Sequence, residues 1–374
     1  MPKPVMVLSS DWHLSPQSWK KHPNIQKDSY FSLMQIVDLS IKLNVPLVGA
    51  GDLFDVKHPY AESVVFCAEQ MKKLKRAGLN MYYVQGQHEY SETPWLSICD
   101  NAIHVDFLRN RNERVLNVNG ITMCGLDIQK SGTVFATACN TLRHEVGINK
   151  IDLFITHQVW VDFIHKSDVN FCFKNATFAK IVYTGDFHKT EVLDVDGTAC
   201  LSSGSINMQA NNESPHKCVF ILNDDLSYDR YSLATRPFIS FTIKNEKELS
   251  EVLDRNKDSF FMTWPYKNLP DEISTPLVCI KYQRTLPRAY ELLSDKFKNF
   301  QWHWDIAATD FTSAEMLAAA DRKPTRELIT IEDCAAKLAD PESVKYKDAI
   351  RVFNSKNAEQ EILAMREEHL TERA

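Results

Sequence analysis

The chain has 374 residues, of which 44% are hydrophobic and 25% charged, with 11 glycines and 15 prolines. This balance is typical of globular proteins and excludes collagen-like, coiled-coil and disordered chains. The length predicts two or three domains. The net charge of −6 gives no general attraction for nucleic acid, so DNA binding would depend on metal ions, local basic patches or a partner.

The nine cysteines include no Cys-x-x-Cys pair, and their odd number favours reduced thiols over a disulfide framework. No apolar run in the sequence is long enough to cross a bilayer. Together these observations predict a cytoplasmic protein with no membrane partner.

Residues 1–190 alternate short β-type runs with amphipathic stretches, as an α/β domain does. Residues 28–43 and 61–77 place apolar side chains at helical spacing. Asn119-Gly120 and Asp196-Gly197 each predict a two-residue hairpin turn, so the strands should be partly parallel and partly antiparallel. The β-type runs are residues 5–8, 47–50, 80–84, 153–156 and 181–184.

The pattern changes after Thr235-Arg236-Pro237. A smaller β-α-β-α-β unit follows and ends near residue 306. Residues 325–374 contain no glycine and one proline, and their apolar residues recur at helical spacing among many charges, which predicts a helical tail. The predicted domains are therefore residues 1–235, 236–310 and 311–374.

Side chains that bind metals follow each β-type run of the first domain. Because the carboxyl ends of neighbouring strands meet at one crevice, these side chains can converge on one point. Each motif alone has a simpler explanation, such as an aspartate that caps a helix or an isolated surface histidine. Their recurrence at successive strand ends favours a metal centre. The motifs are D-x-H at 11–13, G-D-x-x-D at 51–55, G-Q-H-E at 86–89, His157 and G-D-x-H at 185–188.

The ordered set of motifs, which covers residues 1–222, resembles the calcineurin-like metallophosphoesterases. The resemblance implies an α/β fold, a four-layer α/β/β/α sandwich, here followed by a smaller α+β capping domain and a helical C-terminal tail. It also implies two divalent metal ions that share a bridging carboxylate. One ion would be held by Asp11, His13, Asp52 and His188, and the other by Asp52, Gln87, His157 and Asp186.

The resemblance further implies that His88 is the general acid that protonates the leaving oxygen. Asp55 and Glu89 lie next to ligands and are expected to orient them or to cap helices. Two positions depart from the family pattern, since Gln87 replaces the usual Asn and Asp186 replaces the usual His. The anionic oxygen of Asp186 favours Mn²⁺ or Mg²⁺ over Zn²⁺. The alternative is that the second ion is lost or weakly held.

Three further features resemble the SbcD-type nuclease branch of the family. The first is the sequence Gly-Asp-Leu-Phe-Asp at residues 51–55, and the second is the Gly-Ser segment at 201–206 with residues 213–222 after it. The third is the β-α-β-α-β unit that begins at Thr235-Arg236-Pro237-Phe238. This resemblance implies a Mn²⁺-dependent DNA nuclease subunit, a 3'-5' exonuclease on duplex ends and a single-strand endonuclease. It would act in DNA repair, recombination or replication, in the nucleoid or, if phage-encoded, in the host cytoplasm. The implied partners are DNA and an SbcC-type coiled-coil ATPase that docks on the tail. The resemblance leaves undecided whether the chain also forms a homodimer.

Two basic clusters are candidates for DNA phosphate contacts, with a solvated helix face or a charged loop as the alternative. They are Lys72, Lys73, Lys75 and Arg76, and Arg109, Arg111 and Arg114. Two other functions stay open for the chain as a whole. One is a stand-alone phosphodiesterase for small nucleotides, and the other is a catalytically weak scaffold subunit that binds DNA.

Overall fold

The computed structural model describes residues 2–19, 22, 25–109, 115–147, 151–160, 162, 173–210, 213–261, 264–266, 269–300 and 302–310. The predicted helical tail, Arg111 and Arg114 lie outside this range.

The described residues form fifteen strands and six α-helices. The strands are β1 (Pro4–Ser9), β2 (Leu47–Ala50), β3 (Met81–Val84), β4 (Ala102–His104), β5 (Leu116–Val118), β6 (Ile121–Leu126), β7 (Ile151–His157), β8 (Ala179–Gly185), β9 (Glu191–Val195), β10 (Thr198–Ser202), β11 (Lys217–Asn223), β12 (Tyr228–Leu233), β13 (Phe238–Ile243), β14 (Leu277–Gln283) and β15 (His303–Thr309). The helices are α1 (Asp28–Leu43), α2 (Ala61–Arg76), α3 (Gly132–Val146), α4 (Glu246–Asp254), α5 (Asp271–Ser274) and α6 (Ala289–Lys298).

Two six-stranded sheets carry the first part of the chain, with strand orders β12-β11-β1-β2-β3-β4 and β5-β6-β7-β8-β10-β9. The central strands are parallel, as β1, β2 and β3 are in one sheet and β6, β7 and β8 in the other. The β5–β6, β9–β10 and β11–β12 hairpins are antiparallel, whereas the edge strand β4 pairs with β3 in parallel. The predicted mixture of parallel and antiparallel pairing is confirmed.

Three buried clusters define the layers. One joins α1 and α2 to the outer face of the first sheet through residues such as Leu33 and Met71. A second lies between the sheets and includes Leu8, Val84 and Ile155. A third packs α3 against the outer face of the second sheet. The α/β sandwich with helix, sheet, sheet and helix layers is therefore confirmed.

A smaller parallel sheet, β13-β14-β15, follows and packs with α4 and α6 around Phe260, Phe297 and Trp302. Its element order matches the predicted β-α-β-α-β unit. Residues 1–310 form one compact unit, and the division of the chain at residue 235 stays a prediction.

Helix α3 and the four-residue helix α5 are not among the predicted elements, and α3 is the longer of the two. Thr133, Val134, Thr137 and Thr141 are β-branched and have low helix propensity. The helix forms nonetheless because Ser131 caps its first turn, accepting a hydrogen bond from the Val134 amide, and because one face packs on the second sheet. Within the part of the chain that the structure describes, no helix combines the length and apolarity needed to span a membrane.

Candidate metal centre

The carboxyl ends of β1, β2, β3, β7 and β8 bring the predicted ligands together at one edge of the sandwich. The Oδ2 atom of Asp52 lies 3.3 Å from His157 Nε2 and 3.8 Å from His13 Nε2. The Nε2 atom of His188 lies 3.1 Å from His13 Nε2 and 3.8 Å from Asp11 Oδ1. The structure thus places Asp52 between the two halves of the cluster.

The backbone at this edge bends sharply to aim the ligands inward. Asp11, His13, Asp52 and Asp186 have φ angles of 50°, 44°, 49° and 72°. Such left-handed conformations are uncommon outside glycine and carry strain that tends to be stored at functional sites. Aspartate and histidine tolerate this region better than β-branched residues do.

Glycine allows the closest approaches around the cluster. A Cβ atom at Gly86 would lie 2.1 Å from Asp52 Oδ1, and a Cβ at Gly185 would lie 2.2 Å from the Ala50 carbonyl oxygen. The motif glycines at these positions are therefore required by packing against the ligands themselves.

The side chains fit divalent cations. Asp11, His13 and His188 form one group of possible ligand atoms within 4.8 Å of one another, and Asp11, Asp52 and His157 form another. The buried Asp11 Oδ2 atom has no hydrogen-bond partner among the described residues, which is unusual for a buried carboxylate oxygen. A set of carboxylate oxygens and imidazole nitrogens suits first-row divalent metals.

The two residues that depart from the family pattern lie side by side. Gln87 Nε2 donates a hydrogen bond of 2.6 Å to Asp186 Oδ1, and that oxygen lies 4.0 Å from His157 Nε2. The amide thus turns its nitrogen toward Asp186, and binding a cation through its oxygen would require the amide to rotate. His157, in contrast, is fully buried and already faces Asp52.

The charges of the cluster depend on one another. Burial raises the pKa of Asp11, and the neighbouring Asp52 adds to this rise. Burial also opposes ionisation of Asp52, but the charges of His157, His13 and His88 outweigh it and lower the pKa of Asp52. A bound dication would favour the ionised form of both carboxyls.

Two histidines of the cluster, His157 and His88, use their Nδ1 atoms for orientation, as metal ligands commonly do. His157 Nδ1 lies 2.6 Å from the Ala50 carbonyl oxygen, and His88 Nδ1 lies 2.7 Å from the Asp55 carbonyl oxygen. His13 Nδ1 is 3.3 Å from Asp55 Oδ1. The hydrogen-bond contacts of His157 and His88 direct their Nε2 atoms toward the cluster.

Glu213 orients His188, a contact that sequence reasoning did not assign. Its Oε1 atom lies 2.9 Å from His188 Nδ1, while Oε2 accepts hydrogen bonds from Lys217 Nζ at 2.6 Å and Ser205 Oγ at 2.8 Å. Burial would raise the pKa of Glu213, but the His188 hydrogen bond and the Lys217 charge hold it at about 2. The signal available in the sequence was the Gly-Ser segment followed by residues 213–217.

Glu89 lies beneath the cluster and points to the backbone. Its Oε1 atom accepts a hydrogen bond of 2.9 Å from the Gly86 amide. Burial and the nearby charge of Asp52 raise the pKa of Glu89 to about 8. The orienting roles of Glu89 and Asp55 stay predictions.

The structure does not bring the basic candidates to this edge. Lys72 and Lys73 lie in the last turns of α2, which leads into the start of β3, the opposite edge from the ligands. The Arg109 guanidinium lies between Asp106, Asp127 and two backbone carbonyls. Their roles as phosphate contacts stay predictions.

A cleft of about 530 Å³ opens over the cluster. His13, His88 and His188 line one side, and Cys279 and Asp305 of the third sheet line the other. A substrate that reaches the cluster through this cleft must therefore also face β14 and β15.

The comparisons with known proteins agree with this site. The chain is 23% identical over 261 residues to the DNA double-strand break repair protein Mre11 of Methanosarcina acetivorans. It is 29% identical over 126 residues to the Mre11 protein of Saccharolobus solfataricus. The chain is therefore similar in sequence to archaeal Mre11 proteins. The resemblance to the metallophosphoesterase nucleases that the motifs predict is thereby confirmed.

The extent of the match is partial. The alignment with the M. acetivorans protein covers 66% of this chain and 42% of that protein, so the chain spans less than half the length of this relative. Among solved structures, a novel archaeal phosphodiesterase aligns with 61% of this chain and 99% of its own at 12% identity and a TM-score of 0.34. No family model matches the chain.

Proposed function

We propose that this chain is a metal-dependent phosphodiesterase and, more narrowly, a DNA nuclease subunit. The observation that carries the proposal is the convergence of Asp11, His13, Asp52, His157 and His188 at one strand edge with a buried, unpartnered carboxylate oxygen. The Mre11 relatives are named as DNA double-strand break repair proteins, which supports the narrower form.

The proposal assigns two ligand sets. Asp11, His13 and His188 would hold one cation, and His157 with Asp186 and Gln87 the other, with Asp52 between them. Divalent cations held there supply Lewis-acid stabilisation of the charge that develops on a phosphate. Mn²⁺ or Mg²⁺ suits the added carboxylate of Asp186 better than Zn²⁺ does.

His88 is placed to act as the general acid. Its Nδ1 atom is engaged with the Asp55 carbonyl oxygen, so the Nε2 atom faces the cluster, 3.9 Å from Asp52 Oδ2. The side chain is 41% exposed toward the cleft, which lets it reach the leaving oxygen of a bound ester. A positioned acid contributes about 10²- to 10⁴-fold to such a step.

The test compares linear duplex DNA, plasmid DNA and bis-p-nitrophenyl phosphate with Mn²⁺, Mg²⁺ and Zn²⁺. We expect Mn²⁺-dependent hydrolysis of all three substrates by the full chain. Asp52→Asn should lose metal binding and activity together, because Asp52 lies between both ligand sets. His88→Ala should keep its metal, measured by calorimetry, and lose turnover of DNA about 10²- to 10⁴-fold. Full nuclease activity in His88→Ala would refute the acid role.

The same assay separates the alternatives. The hydrogen bond from the Gln87 amide to Asp186 favours a second candidate, a scaffold subunit that binds DNA with weak catalysis. DNA binding without hydrolysis under any metal would support that candidate. Hydrolysis of small esters only would instead indicate a nucleotide phosphodiesterase. Binding of an SbcC-type ATPase and self-association stay predictions.

A further inference from the structure

Beside the metal centre, a buried polar network surrounds the loop that carries Gln87 and His88. The loop, residues 86–90, begins after β3. Gln85 closes its base, since its side chain accepts a hydrogen bond of 3.1 Å from the Ser91 amide and donates one of 3.0 Å to the Ser91 carbonyl oxygen. The entry and exit of the loop are therefore tied to each other by one side chain.

Asp127, which follows β6 in the second sheet, holds Gln85 in turn. Its Oδ1 atom accepts a hydrogen bond of 2.7 Å from the Gln85 amide, and Oδ2 accepts one of 3.2 Å from the Gln85 side chain. His104 Nε2 lies 2.8 Å from the same carboxylate. Asp127 thus connects the two sheets beside the loop. Gln85 directly follows β3 and His104 ends β4 in the first sheet, whereas Asp127 itself follows β6 in the second.

Arg109 holds the other end of the loop. One guanidinium nitrogen, Nη1, donates hydrogen bonds of 2.9 Å to the carbonyl oxygens of both Ser91 and Glu92. The guanidinium also lies 5.0 Å from the centre of the Tyr90 ring and 3.6 Å, through Nε, from Asp127 Oδ2. The guanidinium of this arginine is therefore engaged with the loop and with Asp127.

We propose that three positioning residues, which we call the loop clamp, hold His88 where it can protonate the leaving oxygen of an ester bound in the cleft. They are Gln85, Asp127 and Arg109. The inference rests on the proposed function, since it deepens the role of His88 there. It also gives Arg109 a purpose other than contact with a DNA phosphate. The reason is geometric: catalysis by a positioned acid depends on sub-ångström placement, and a loop free at either end would not supply it.

Three substitutions in the full chain test the loop clamp. Asp127→Asn replaces one carboxylate oxygen, a hydrogen-bond acceptor, with an NH₂ group. This donor would then face the N–H groups of Gln85 and Arg109. Arg109→Gln removes the paired carbonyl contacts and is safer for folding, because Arg109 is partly exposed. Asp152→Asn is the matched control, since Asp152 also accepts a hydrogen bond from a backbone amide, that of Thr122, and pairs with a cation, Lys180. It lies at the start of β7, at the other end of the strand from His157.

Hydrogen exchange is the first measurement and does not depend on activity. Both clamp variants should increase exchange at residues 86–92 about tenfold or more, whereas Asp152→Asn should leave this segment unchanged. Thermal melting confirms that each variant is folded. Unchanged exchange at residues 86–92 in folded Arg109→Gln would overturn the proposal.

Leaving-group dependence is the second measurement. Hydrolysis of DNA needs a protonated leaving oxygen, whereas p-nitrophenolate leaves without help. The clamp variants should therefore lose kcat on DNA about 10- to 100-fold and keep most of it on bis-p-nitrophenyl phosphate. Added to His88→Ala, they should cause little further loss, because they act through His88. Equal losses on both esters would contradict the positioning role.

Arg109→Lys separates the clamp from a phosphate contact. Lysine keeps the charge but cannot reproduce the paired contacts of a guanidinium. The clamp predicts that Arg109→Lys behaves as Arg109→Gln does, whereas retention of wild-type activity and DNA affinity would overturn it. If the wild-type chain hydrolyses neither ester, the proposed function fails, and the exchange data still decide whether the clamp exists.

Discussion

At the scale of single residues, Asp186 is the position where this chain differs most in chemistry from the family it resembles. It occupies a left-handed backbone position with φ of 72°, and its amide donates a hydrogen bond of 2.9 Å to Asp11 Oδ1. The backbone of Asp186 therefore supports one half of the metal cluster, while its side chain lies beside His157 and Gln87 in the other half.

Asp186→His should shift the metal preference toward Zn²⁺ relative to Mn²⁺, because it replaces an anionic oxygen with an imidazole nitrogen. Calorimetric titration of both metals measures the shift. Asp196→His is the matched control, since Asp196 is exposed in a hairpin turn and has a similarly left-handed φ of 55°. Two ions bound with an unchanged preference would show that Asp186 does not bind a metal.

Glu213→Gln should lower stability at neutral pH but not in acid. The pKa of Glu213 is about 2 in the folded protein against an ordinary value of 4.5. The carboxylate therefore stabilises the fold above pH 4.5, by about 3 kcal/mol, and this stabilisation is lost as the pH falls toward 2.

Urea denaturation from pH 3 to 7 checks this prediction. The difference between wild type and Glu213→Gln should grow as the pH rises. Glu191→Gln, a change at an exposed glutamate, should show no such trend. A difference between wild type and Glu213→Gln that is the same at every pH would contradict the assigned pKa.

At the scale of elements, a buried ion pair connects the first helix to the third sheet. Arg236, just before β13, donates from Nη2 to Asp28 Oδ1 at 2.7 Å, and Asp28 is the first residue of α1. The guanidinium also donates hydrogen bonds of 2.7 Å to the carbonyl oxygens of Thr275 and Glu272, which precede β14. This contact links the start of α1 to the segments that lead into β13 and β14.

Arg236→Ala should reduce the free energy of unfolding by about 3–5 kcal/mol, because it leaves Asp28 buried without its partner. Arg288→Ala is the control, since Arg288 and Glu291 form an exposed pair that solvent screens and that should contribute little to stability. Denaturant titration measures both changes. A loss below about 1 kcal/mol in Arg236→Ala would show that the pair does not hold these elements together.

At the scale of the whole molecule, the described hydrophobic clusters all lie before residue 310. The catalytic machinery proposed above also lies before that point. A chain that ends at Arg322 should therefore keep its fold and hydrolyse a small phosphodiester in Mn²⁺, yet lose binding to an SbcC-type ATPase. Thermal melting, ester hydrolysis and co-sedimentation with the ATPase measure the three outcomes. Precipitation or loss of cooperative melting would show that the tail is part of the fold.

Much of the fold was predictable because its signals are local. Helices α1 and α2 and the central strands follow apolar periodicity, and both hairpins follow from Asn119-Gly120 and Asp196-Gly197, whose φ angles are all positive as such turns require. Helix α3 was missed, since its β-branched residues argue against a helix and only packing on the second sheet overrides them.

The sequence by itself determined which residues meet, because motifs placed at the ends of parallel strands have only one edge of the sheet at which to converge. Only the tertiary structure decided how they are held. Glu213 reaches His188 from a segment twenty-five residues away, and Asp127 reaches Gln85 across forty-two. The hydrophobic periodicity of the chain does not predict such contacts. They depend on how two sheets stack, which the hydrophobic core decides and a motif does not encode.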